Sequence, residues 1–211
     1  LYTGGCNLKC PYCHLRDLVY LKENMYPIVT EKINEYLESH RKDLDGIYIS
    51  GGEPLMHEGV VSFLQYAKTL NYKIKIHTNG MFYERLKTIL AQKLVDHVSL
   101  DIKNAPSAYA KTCGVEDMDL KDIEKSLDLL KQSAVPYDIC VTLVDELHNQ
   151  ATIEELGKWI QGVDTVILQP FEDSETTIDH SLHRPSFETV LKYKKIFEKY
   201  VKHVKIRGDQ A

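Results

Sequence analysis

Apolar residues recur along this chain at two alternating spacings. From Thr30 to His40, Ile33 and Leu37 stand four apart, which predicts a helix with Thr30 as its N-cap. Gly46-Ile47-Tyr48-Ile49-Ser50 then reads as a short strand of the buried type. Val60, Val61, Leu64, Ala67 and Leu70 return to the helical period, and Lys73 to His77 alternates as a strand. The same order continues through a helix near Tyr83 to Gln92, a strand at His97 to Asp101, a helix around Leu120 to Gln132 and a strand at Tyr137 to Leu143. Thr152-Ile153-Glu154-Glu155 has the form of a capping box ahead of a helix to Ile160. A strand at Thr165 to Leu168, a helix at Ser186 to Tyr200 and a last strand at Val204 to Ile206 complete the pattern.

Regular alternation of this kind predicts an α/β fold whose parallel strands are joined by right-handed helical crossovers. Leu1-Tyr2-Thr3 reads as the tail of one further strand, truncated at its start. About seven strands are too few for a closed eight-stranded barrel, so an open, partial parallel barrel is expected. No internal repeat, low-complexity run or linker is visible, and residues 1–211 are expected to form a single domain. Ligands of such sheets sit beyond the carboxyl ends of the strands.

Composition narrows the function classes. With 43% hydrophobic and 27% charged residues the chain can bury a sizeable core. A net charge of -5 argues against nucleic acid as the main partner, since that binding normally leaves a clustered basic footprint. The lysines between Lys192 and Lys205 look like solvated helix faces. No segment is long or apolar enough to span a bilayer as a helix, so no membrane partner is expected, and the location expected is cytoplasmic.

Candidate chemistry begins at Gly5-Cys6-Asn7-Leu8-Lys9-Cys10-Pro11-Tyr12-Cys13-His14. Cys6, Cys10 and Cys13 have the three-then-two spacing that suits iron–sulfur ligation. A cubane cluster takes four ligands, normally thiolates, so this loop leaves one iron for an outside ligand. A zinc knuckle or a disulfide framework are the other readings of a short cysteine cluster. Zinc motifs usually add a second pair downstream, which is missing here, and His14 would close a site only awkwardly. Disulfides fit an odd count of five cysteines poorly. Cys113 and Cys140 carry no ligand spacing and read as small buried residues.

Three strand ends add polar groups at the same rim. Ser50-Gly51-Gly52-Glu53-Pro54 pairs two glycines, which let backbone approach a ligand, with a carboxylate. His77-Thr78-Asn79-Gly80 ends the next strand, although Asn-Gly alone also signals a turn. In Ser99-Leu100-Asp101-Ile102-Lys103, alternation puts Asp101 and Lys103 on one face, where they form either a rim ion pair or a contact for a zwitterion.

Together these residues resemble the radical S-adenosylmethionine (SAM) enzymes, and among them the activating enzymes of glycyl radical proteins. The cysteine spacing, Tyr12 before the last cysteine, and Ser50 to Pro54 match the superfamily. Cys13-His14-Leu15-Arg16-Asp17, Leu100-Asp101-Ile102-Lys103 and the ending Lys205-Ile206-Arg207-Gly208 are similar to the anaerobic ribonucleoside-triphosphate reductase activating proteins. The resemblance implies a (β/α)6-type partial barrel, with Cys6, Cys10 and Cys13 holding a 4Fe-4S cluster. It implies SAM bound near Tyr12, Gly51, Gly52, Glu53, Asn79, Asp101 and Lys103. Reductive cleavage of SAM to methionine and a 5'-deoxyadenosyl radical would follow, with hydrogen removed from a glycine Cα of an anaerobic ribonucleotide reductase. A low-potential donor such as flavodoxin or ferredoxin would supply the electron.

The chain departs from the activase pattern at His77, where many relatives carry aspartate, at Cys140, where arginine is frequent, and at Gln169, where some have histidine. Two other functions therefore stay open. One is a radical enzyme acting on a small molecule, similar to 7-carboxy-7-deazaguanine synthases. The other is a metal module without chemistry.

Overall fold

Residues 1–208 are described by a computed structural model of the chain. Seven strands lie in one sheet in sequence order: β1 (Tyr2–Thr3), β2 (Gly46–Gly51), β3 (Lys73–Thr78), β4 (His97–Asp101), β5 (Tyr137–Leu143), β6 (Thr165–Pro170) and β7 (His203–Ile206). Every neighbouring pair is parallel, and β1 does not close onto β7. The helices are α1 (Arg16–Tyr20), α2 (Thr30–Ser39), α3 (Val60–Thr69), α4 (Tyr83–Ala91), α5 (Tyr109–Thr112), α6 (Lys121–Gln132), α7 (Gln150–Trp159) and α8 (Phe187–Phe197). This is the open parallel α/β sheet that the alternating pattern predicts. None of the helices among the described residues is long and apolar enough to cross a membrane.

The two faces of the sheet differ in chemistry because the strands alternate in phase. Ile47 pairs with Ile74, Ile76 with Val98, Leu100 with Ile139, and Ile139 with Val166. All of these are buried in the core that the sheet shares with the helices. One residue along, Lys75 pairs with His97, His77 with Ser99, Ser99 with Asp138 and Asp101 with Cys140. A parallel sheet normally buries two apolar faces. Here the second face is polar, so it lines a cavity and is not filled with packed side chains.

Two helix starts differ from the sequence pattern. Asn149, not Thr152, caps α7: its side chain accepts the Thr152 N–H at 3.0 Å, and Thr152 Oγ1 accepts the Asn149 N–H at 3.1 Å. Thr152 is thus the return half of the capping box, three residues inside the helix. In α2 the capping position is Val29, and no side chain caps that end. Ser186 caps α8 by accepting the Thr189 N–H at 3.1 Å.

The segment after β1 is laid against the end of β2 largely through its backbone, with His57 Nε2 reaching Gly4 O at 2.8 Å. Gly52 donates to Thr3 O at 2.8 Å, and Glu53 donates to Gly5 O at 2.9 Å. A Cβ on Gly52 would sit 1.8 Å from Gly5 O, so only glycine permits this approach. Gly52→Ala should therefore cost about 3 kcal/mol or more in chemical denaturation. Gly59→Ala, where a Cβ meets nothing within 4 Å and φ is -71°, should be neutral or slightly stabilising.

Candidate active site

The three cysteines stand on a loop that other elements hold from both sides. Gly5, at φ +83°, turns the chain out of β1 and donates to Leu18 O at 2.8 Å. Within the loop, Cys13 N donates to Cys10 O at 2.9 Å. On one flank, Ile178 N and Asp179 N donate to Cys13 O and Pro11 O at 3.1 and 2.9 Å, and Thr176 Oγ1 donates to His14 O at 2.5 Å. On the other, Lys9 N donates to Cys113 O at 3.2 Å. Nothing in the sequence signals either flank, because each contact joins segments far apart in the chain.

The sulfurs of Cys6 and Cys13 accept the amides of Leu8 and Leu15, each at 3.4 Å. Burial pushes the Cys6 thiol up to about 11 and raises that of Cys13. Cys10 goes the other way, down to about 7, chiefly because the Cys113 side chain hydrogen-bonds its sulfur, with help from Lys103. A tetrahedral zinc site needs sulfurs roughly 3.8 Å apart. Among the described residues the side-chain donors that gather within 4.8 Å of one another are those of His77, Asp101 and Cys140, not the three loop sulfurs. The loop sulfurs are therefore not gathered as tightly as a single tetrahedral ion requires.

A cavity of about 480 Å³ opens from this loop across the carboxyl ends of the strands into the polar face of the sheet. Its volume suits a small cofactor. The residues expected to contact SAM all line it: Tyr12, Gly51, Gly52, Glu53, Asn79, Asp101 and Lys103. Tyr12 is 6% exposed and its hydroxyl has no hydrogen-bond partner. An unpaired buried hydroxyl on a cavity wall calls for a polar ligand atom.

Glu53 has a structural task. It is 1% exposed, and its carboxylate accepts Leu55 N at 2.9 Å, Thr78 Oγ1 at 2.7 Å and Asn79 N at 2.7 Å. Burial raises its pKa, and these bonds offset part of that cost. Asn79 in turn donates from Nδ2 to Asn7 Oδ1 at 2.8 Å, tying β3 to the cysteine loop.

Lys103 and Asp101 form a pair 2.7 Å apart within the cavity. Burial disfavours the charge on each, but attraction wins: His77 and Lys103 hold Asp101 well below the carboxylate range, and Asp101 holds Lys103 above its own. His77 Nε2 approaches Asp101 Oδ1 at 2.6 Å, and His77 Nδ1 meets the Tyr48 hydroxyl at 2.7 Å. His148, which sequence reading passed over, accepts the Val144 N–H on Nδ1 at 3.1 Å. Its Nε2 therefore donates to Lys103 O at 3.0 Å and fixes the lysine's backbone.

Deeper in the polar face, Asp138 takes His97 Nε2 at 2.6 Å, Lys75 at 3.4 Å and the Cys140 thiol at 3.3 Å. Cys140 is buried as expected, yet it lines the cavity. Gln169 accepts Arg207 Nη1 at 2.6 Å on the far wall. Three grouped thiols, an unpaired hydroxyl and a buried ammonium facing a common space fit an iron–sulfur cluster with an amino-acid ligand. His14 lies exposed at the rim and closes no metal site with the three thiols.

The profile of the Radical SAM superfamily matches residues 1–160. A protein of Methanocaldococcus jannaschii described as a glycyl-radical enzyme activating enzyme is 30% identical over 98% of this chain and 87% of its own length. The pyruvate formate-lyase-activating enzyme of Clostridium pasteurianum is 27% identical, over 97% of this chain and 90% of its own. A GTP 3',8-cyclase of Alkaliphilus oremlandii is 26% identical over 72% of this chain and 48% of its own.

Two outcomes test the site's electrostatics. Glu53→Gln places an amide NH₂ against hydrogen-bond donors in either orientation, and should lower stability by about 2 kcal/mol in denaturant titration. Asp101 has a depressed folded pKa, so its contribution is complete above the unfolded value near 4 and is lost as pH falls. Calorimetry should show the melting temperature dropping below about pH 4, with a flatter decline for Asp101→Asn.

Proposed function

The chain belongs to the radical SAM superfamily, and on that premise we propose that it installs a glycyl radical on a partner protein, an anaerobic ribonucleotide reductase. The observation that carries this reading is full-length similarity to activating enzymes, combined with a cavity whose sheet is open at β1 and β7. A closed barrel admits small molecules through its mouth, whereas an open edge also admits a protein loop bearing the target glycine.

Cys6, Cys10 and Cys13 would hold the 4Fe-4S cluster. Lys103, held charged by Asp101, would attract the carboxylate of SAM. Carbonyls at the end of β2 would face its ammonium, because Glu53 is already engaged by three donors. The buried Tyr12 hydroxyl would pair with a polar atom of the same ligand. When bound, cluster and SAM supply a reductive carbon–sulfur cleavage that yields methionine and a 5'-deoxyadenosyl radical. The cysteine loop and residues 171–174 wall one side of the cavity, which would limit the water that would waste a reactive species. A low-potential donor such as flavodoxin or ferredoxin would supply the electron.

Anaerobically reconstituted protein, mixed with SAM, reductant and the reductase, should give a glycyl radical doublet in electron paramagnetic resonance. About one 5'-deoxyadenosine should accompany each radical, and the Cys6→Ala, Cys10→Ala and Cys13→Ala variants should give neither. A filled cluster that cleaves SAM without radicalising any reductase would overturn the proposal.

A second reading draws on the polar cavity wall, where Gln169, Arg207 and His77 offer groups for a charged metabolite. It requires a small molecule that raises 5'-deoxyadenosine output with no protein partner present.

A further inference from the structure

Charge around the cavity is balanced except at one corner. Six Asp, Glu, Lys and Arg side chains line it among the described residues. Glu53 is engaged by its three donors, and Asp101 and Lys103 stand 2.7 Å apart. Glu172 takes Arg184 Nη1 at 2.6 Å, and Asp173 takes His180 Nδ1 at 2.9 Å. Arg207 is the exception: among the described residues it pairs with no acidic side chain, and its Nη1 donates instead to the neutral amide of Gln169 at 2.6 Å.

The strands build that corner. Leu168 on β6 lies opposite Ile206 on β7, so Gln169 and Arg207 are the next neighbours along, and Arg207 N donates to Leu168 O at 2.9 Å. Val166 and Leu168 enter the core, and Gln169, in the opposite phase, comes to the cavity wall. The amide holds one nitrogen of the guanidinium, and the other donors of that planar fork are left for a ligand. Such a fork matches the two oxygens of a carboxylate. The arginine follows β7, the open edge of the sheet at the far end of the strand order from β1 and the cysteine loop, whereas Lys103 follows the central β4.

We propose that Arg207 binds a carboxylate of the protein substrate, an Asp or Glu side chain on the segment that carries the target glycine, and so sets where that segment enters the cavity. The assignment rests on the function proposed above, which supplies the occupant. Two cations at separate places on the wall suit two anions: Lys103 faces the carboxylate of SAM, and Arg207 is left for one that arrives across the open edge. Gln169 is then a positioning residue, fixing the plane of the fork.

Reconstituted Arg207→Ala, Arg207→Gln and Arg207→Lys proteins, assayed anaerobically with SAM and reductant over a range of reductase concentrations, test this. Alanine and glutamine should raise KM for the reductase about tenfold while kcat stays within about twofold, and lysine, which keeps the charge without the fork, should fall between. The 5'-deoxyadenosine formed with no reductase present should stay within about twofold of wild type in all three. An unchanged KM in both the alanine and glutamine proteins would overturn the proposal. So would a matching loss of 5'-deoxyadenosine without reductase, which would assign Arg207 to SAM, or an Arg207-dependent rise in that output on adding glutarate, which would assign it to a small carboxylic acid. Wild-type protein that radicalises no reductase would sink the proposed function, and this assignment with it.

Discussion

A buried carboxylate with three donors holds this site together. Glu53 joins the end of β2 to the end of β3 by accepting Thr78 Oγ1 and the Asn79 amide, and it stabilises its own turn through Leu55 N. An isolated buried carboxylate would be very costly, so the three bonds are a condition of its being there. From this strut the rest follows. Asn79 is aimed at Asn7, Gly52 is pressed on the strand that precedes the cysteines, and the loop is held over the cavity from below.

The second constraint is phase. Because adjacent strands alternate in register, polar residues of five strands converge on one face while their neighbours build the apolar core. Charge on such a face is tolerable only when paired. Asp101 sits between Lys103 and His77, and Asp138 between His97 and Lys75. The chain's departure at His77 has a consequence here: an imidazole with Tyr48 on its other nitrogen occupies the neighbourhood of the Asp101 carboxylate.

Much of the fold was legible in the sequence because it depends on local period. The bounds read for β4 and β5 coincide with those observed. Helix caps were less legible. Thr152 and Asn149 are both competent acceptors, and which one caps α7 depends on where the chain turns, not on residue type. In the candidate site the cysteine motif and the strand-end residues stood out by spacing and by place at the rim. Cys113, His148 and residues 176–179 did not. Each acts through a partner remote in sequence, and no local pattern encodes such a contact.

The proposed function requires the cysteine loop to grip a cubane by three thiolates and leave one iron to an amino-acid ligand. Mössbauer spectroscopy of protein reconstituted anaerobically with ⁵⁷Fe, recorded before and after SAM is added, tests this most directly. A four-iron spectrum in which one iron site changes on addition of SAM is predicted. A single tetrahedral ion on the three sulfurs, or a cluster spectrum indifferent to SAM, would contradict it.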